Sequence, residues 1–147
     1  MSATSAATVL LADRHHGLYQ GIRGLLETSF GKVFLVTDRA SLMEGAMRLQ
    51  PAVIVLDLSY AEGDLVGLIG ELRRNTPATK LLLLSVHDES AIIESAKFAG
   101  ADGLVMKHAI ATDLMVAIDH VMLGGRLFPT RSSYDRQDRG HSRNGYS

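Results

Sequence analysis

The chain contains no cysteine. That excludes a disulfide framework, thiolate metal sites and cysteine nucleophiles, and is compatible with a reducing, cytoplasmic setting. No apolar run approaches the roughly 20 residues a membrane span requires, and the opening MSATSAAT has neither the charged nor the apolar part of a signal peptide. A soluble protein without a membrane partner is expected. Charge of one sign is also lacking: 15 Lys and Arg stand against 16 Asp and Glu, a formal net charge of −1. No global basic field draws the chain to nucleic acid, which is therefore not an expected partner. Aliphatic side chains are missing from the last 18 residues, Thr130 to Ser147. This segment cannot help build a core and reads as a disordered polar tail. Its four Arg against two Asp make it +2, which leaves −3 for residues 1–129.

What is present is five short runs rich in branched apolar residues: TVLLA (8–12), KVFLV (32–36), AVIVLDL (52–58), KLLLLS (80–85) and GLVMK (103–107). They read as strands buried on both faces, because two-faced burial removes the polar alternation of a half-exposed strand. Between them the period becomes helical. Leu18, Ile22, Leu25 and Leu26 follow i, i+4, i+7, i+8, and Leu65, Leu68, Ile69 and Leu72 follow i, i+3, i+4, i+7. Ser41 with Glu44 has capping-box spacing, Asp88 is placed to cap a helix that stops at Gly100, and Thr112 one that stops at Gly124.

Five β-α units imply a doubly wound α/β domain, a parallel sheet with right-handed crossovers and helices on both faces. The expected organisation is a flexible start over 1–7, one domain over 8–129 and the tail over 130–147. A chain of 147 residues buries roughly 70% of its unfolded surface and needs no staples. Ligands bind such sheets beyond the carboxyl ends of the strands. The loops there carry Asp13, Arg14, His15 and His16 after the first strand, Asp57 and Ser59 at the third, Ser85 and His87 after the fourth, and Lys107 and His108 after the fifth. The four histidines lack the spacing of a transition-metal site.

VLLADRHHGLYQGIRGLLE, PAVIVLDLS, LLLLSVHDES and AGADGLVMK stand in this order, and together they resemble the receiver domain of two-component response regulators, in particular the NarL/FixJ branch. The resemblance covers about residues 7–129, and LGGRLFP resembles the start of the linker that in this branch leads to a helix-turn-helix domain; a stand-alone receiver without that output domain is expected. It implies a flavodoxin-like sheet of order 2-1-3-4-5 with five helices, and a signalling protein rather than an enzyme. Asp57 would be the phosphoacceptor, supplied by a sensor histidine kinase or phosphotransfer protein. Lys107 would pair with one phosphoryl oxygen and Ser85 would donate to another. Asp13, Asp57 and the backbone carbonyl of Ser59 would offer oxygens to Mg²⁺. Output would pass to a downstream protein partner, with a homodimer through the fourth and fifth helices as one form, since Ile92, Ile93, Phe98, Met115 and Met122 exceed a narrow core stripe.

Four positions depart from the family pattern. Arg14 stands where the second metal-binding acid is usual, which predicts weak Mg²⁺ binding. Ala61 replaces a proline, Leu65 a glycine, and Leu104 the aromatic residue of the last strand. These departures define the alternative, a pseudo-receiver that binds its partner whatever the state of Asp57. A flavin-binding domain on the same fold would need a Thr/Ser/Gly-rich loop after the first strand, and DRHHGLYQG is not one.

Overall fold

The computed structural model describes residues 7–13 and 16–129, and for 16–19 the backbone alone. Five parallel strands, β1 (Thr8–Ala12), β2 (Lys32–Val36), β3 (Val53–Asp57), β4 (Lys80–Ser85) and β5 (Gly103–Met106), form one sheet of order β2-β1-β3-β4-β5. Helices α1 (His16–Glu27), α2 (Arg39–Leu49), α3 (Leu65–Asn75), α4 (Ser90–Ala99) and α5 (Ile110–Met122) connect and follow them. The sequence at 14 and 15 and from 130 onward, including Arg14, His15 and the polar tail, lies outside the described residues.

Strand alternation divides the core in two. Leu10, Ile54, Leu56, Leu81, Leu83 and Leu104 pack against α2, α3 and α4. Their neighbours Val9, Leu11, Val53, Val55, Leu82, Leu84 and Val105 pack against α1 and α5. Successive side chains of a strand point to opposite faces, so two helical layers require apolar residues at every position of a central strand. β1, β3 and β4 obey this, with all but their first residues fully buried on β1 and β4 and every residue buried on β3. β2 does not. It is an edge strand, no residue of it is fully buried, and Phe34 is 39% exposed. Its apolar run promised two-faced burial, but the helices cover this edge strand incompletely, unlike β5 at the other edge, whose four residues are all buried.

Three caps differ from those the spacing predicts. α2 starts earlier than the Ser41 and Glu44 pair implies, because Asp38 takes the N-cap and accepts from the Ser41 N–H at 2.8 Å. α4 is capped at Glu89 without a side-chain hydrogen bond, not by Asp88. α5 begins at Ile110, and Thr112, inside its first turn, donates its hydroxyl to the Ala109 carbonyl. The stop at Gly100 holds, with φ at +106°. Beyond α5 the chain crosses the outer edge of β5, where Leu127 forms a parallel bridge with Gly103.

Candidate functional site

The carboxyl ends of β1, β3 and β5 bring together two acids and one base. Asp57 is the last residue of β3 and caps the 3-10 turn Leu58–Ala61, its Oδ1 accepting from the Ser59 N–H at 3.0 Å. Asp13 follows β1, whose Ala12 pairs with Leu56, so the two carboxylates stand side by side at the sheet edge. Both are buried. Lys107 follows β5; its Nζ donates to Asp57 Oδ2 and lies 3.9 Å from Asp13 Oδ1. One ammonium therefore serves two buried carboxylates, and the described part of the cluster carries an excess negative charge. Burial by itself would raise the Asp57 pKa. The hydrogen bonds from Lys107 and the Ser59 backbone, with the Lys107 charge, outweigh it and hold the carboxyl below the ordinary aspartate value.

An open pocket of about 340 Å³ reaches this cluster, lined by Asp57, Ser59, Glu62, Val86, His87 and Lys107 among others. A larger groove of about 610 Å³ between β2 and α2 has Glu44 and Arg48 on its walls but no buried charged pair. The smaller pocket is the chemical one. Glu62 entered no expectation, yet it lines the mouth because residues 62 and 63 turn the β3–α3 loop with φ values of +47° and +86°. The Glu-Gly-Asp run was its only signal.

Not every expected residue points into the site. Ser85 ends β4 beside the pocket, but its hydroxyl donates to the His87 carbonyl and accepts from the His87 N–H, both at 2.9 Å. It is committed to a local turn. The Ser59 carbonyl accepts from the Glu62 N–H at 3.3 Å. His108 is exposed, and His87 stands 3.8 Å from Glu89 at the surface. Leu104 is buried in the layer that faces α4, a position from which an aliphatic side chain fills space without a ring to rotate.

Among the described residues no group of three or more His, Asp or Glu is arranged to hold a metal ion. The oxygen set of Asp13, Asp57 and the Ser59 carbonyl still fits Mg²⁺, which takes one or two carboxylates and keeps several waters. It does not fit a soft or nitrogen-seeking metal. No helix among the described residues is long and apolar enough to cross a membrane.

Residues 9–119 match the response regulator receiver domain family. The nitrate/nitrite response regulator protein NarP of Escherichia coli K12 is 31% identical over 125 residues, covering 84% of this chain and 58% of NarP. The chain thus spans rather more than half the length of that relative. Among solved structures, the non-phosphorylated receiver domain of the stress response regulator RcsB from Escherichia coli superposes with a TM-score of 0.76 at 27% identity, covering 85% of this chain and 99% of that domain. A structure of two RcsB dimers bound to two parallel DNAs superposes with a TM-score of 0.74 at 26% identity, covering 88% of this chain and 67% of that one.

Proposed function

The chain belongs to the response regulator receiver family, whose domains act in two-component signalling, and on that premise we propose that Asp57 accepts a phosphoryl group from a phosphohistidine on a kinase or phosphotransfer protein. The observation that carries this reading is the buried Asp57 carboxylate, held ionised by Lys107 at the end of an open pocket. A carboxylate oxygen attacks phosphorus, the O–P bond forms as the N–P bond breaks, and the electron pair returns to the imidazole nitrogen. Catalysis of such a transfer is mainly positioning and electrostatic stabilisation. Lys107 supplies both. It fixes one carboxylate oxygen and offers its charge to the oxygens of the incoming group.

Receiver domains bind Mg²⁺ at this site; when bound, it offsets the charge of the donor and of the acid cluster. Asp13, Asp57 and the Ser59 carbonyl would hold it. Arg14 follows Asp13 in the sequence where a second acid is usual, removing one ligand and adding like charge, so binding is weak. Ser85 must leave His87 to donate to the phosphoryl group, and its turn residue His87 sits on the pocket rim. The output is a protein contact, for which α4 offers Phe98, 83% exposed, and α5 offers Val116, 61% exposed, as apolar positions for a second copy or a downstream protein.

Incubation with a small phosphodonor and Mg²⁺ followed by intact mass tests the reading. One phosphoryl adduct is expected on the wild type and none on Asp57→Asn. Equal labelling of both proteins removes Asp57 from the role.

A further inference from the structure

The two edges of the sheet are finished differently. The β5 edge is closed: the Leu104 N–H donates to the Leu127 carbonyl and the Leu127 N–H to the Asp102 carbonyl, each at 3.0 Å, and all four residues of β5 are buried. The β2 edge has no neighbouring strand on its outer side among the described residues. Such an edge is a row of backbone donors and acceptors that can pair with another chain. The Gly31 N–H points inward, to the Ala7 carbonyl at 3.0 Å. Backbone groups of successive strand residues alternate in direction, so Lys32 and Phe34 turn theirs outward.

The side chains beside this edge are apolar or carry charge of both signs. Phe34, 39% exposed, and Leu49, 37% exposed, line the groove of about 610 Å³ beneath α2, with Glu44 and Arg48 on its wall. Glu44 and Arg48 are exposed, and neither is in an ion pair among the described residues. An acid and a base on one helix face match their own copy across a two-fold axis, where residue i meets j and j meets i. β2 has the same property. Two copies pairing antiparallel about Phe34 set the two Phe34 residues opposite each other, where they exchange both N–H···O bonds and place both rings on one face of a continuous sheet. That face is the one α2 covers, because Phe34 is in register with Leu10 of the α2 layer. Both α2 helices then lie on it, antiparallel, with Glu44 of each copy toward Arg48 of the other.

We propose that the β2 edge and the groove beneath α2 are a docking surface for a second copy of this chain. None of the residues lining the Asp57 pocket belongs to β2 or α2, so the pairing leaves that pocket free and stands independently of the phosphoacceptor reading. With five residues in β2, the contact is short and the dimer reversible.

Sedimentation equilibrium of the full chain over a range of concentrations tests the proposal. The wild type is expected to form a dimer with a micromolar Kd that weakens as salt is added. Phe34→Glu sets two carboxylates face to face at the axis and weakens the dimer at least about tenfold. Glu44→Arg, at an exposed helix position, weakens it at least about threefold, and the double variant Glu44→Arg with Arg48→Glu restores it. That rescue decides the matter even if Phe34→Glu fails to fold. A wild type that stays monomeric throughout overturns the proposal, whether or not a strand of another protein binds β2. A dimer indifferent to Phe34→Glu uses another surface and overturns it too, as does a double variant no tighter than Glu44→Arg alone.

Discussion

The two ends of the sheet each hold a cation against a largely buried carboxylate, and they are built to opposite ends. At the amino end, Arg73 donates Nε and Nη2 to the Gly100 carbonyl, Nη1 to the Thr79 carbonyl and Nη2 to Asp102. The same Asp102 oxygen accepts the Leu81 N–H at 2.8 Å. All three nitrogens of the Arg73 guanidinium donate there. At the carboxyl end one lysine faces two carboxylates and a pocket. A saturated pair staples α3, β4 and the entry to β5. The other pair lines an open pocket that a ligand can enter, which separates a reachable acid from an enclosed one more sharply than burial does.

The largest effect should come from breaking the saturated end. Arg73→Ala removes four hydrogen bonds and leaves Asp102 without its cation, so urea unfolding should show a loss on the order of 3 kcal/mol. Phosphoryl labelling below the melting transition should persist. The open end should respond in affinity. Arg14→Asp restores an acid beside Asp13, and Mg²⁺ titration should show tightening by up to about two decades, since a charged partner in such a site contributes on the order of 1–3 kcal/mol. Equal affinity in both proteins would mean that Arg14 does not weaken the metal site.

Gly103→Ala tests the packing of Leu127 on the start of β5. Its Cβ has no room beside Leu127 and Leu82, so stability should fall by about 1–3 kcal/mol, the usual cost of overpacking, with the Leu127 amide exposed first. The smallest effect is on acid titration. Because the folded Asp57 pKa lies below its unfolded value, its stabilisation is complete above about pH 5, where the unfolded carboxyl of pKa about 3.9 is also ionised, and is lost as pH falls through the lowered folded value. Asp57→Asn should flatten that part of the stability curve. An unchanged acid limb would mean the Lys107 pair does not favour the folded state.

The comparison also explains what was legible in the sequence. The sheet was, because β1, β3 and β4 are apolar at nearly every position and only two-faced burial demands that. The position of β2 at an edge was not, since KVFLV reads as buried and edge placement belongs to topology. Asp57 and Lys107 were legible as charges placed at the ends of apolar strands. Arg73 and Asp102 were not: they lie 29 residues apart, and each looks like a solvated surface group until folding joins them. The direction of the Ser85 hydroxyl depends on a two-residue turn with His87, below the resolution of any spacing argument. LGGRLFP, read as the start of a linker, lies against β5 because Gly103 lacks a side chain, a contact that appears only when both segments are seen together.

In the proposed function Asp57, at the pocket-lined end of the sheet, takes the phosphoryl group. Borohydride reduces an acyl phosphate to an alcohol and so converts the modified aspartate to homoserine. Peptide mapping of the wild-type chain after a small phosphodonor, Mg²⁺ and borohydride should find homoserine at position 57 alone. Homoserine at Asp13 or Asp102, or at no position while an ordinary receiver domain is converted under the same conditions, would contradict the account.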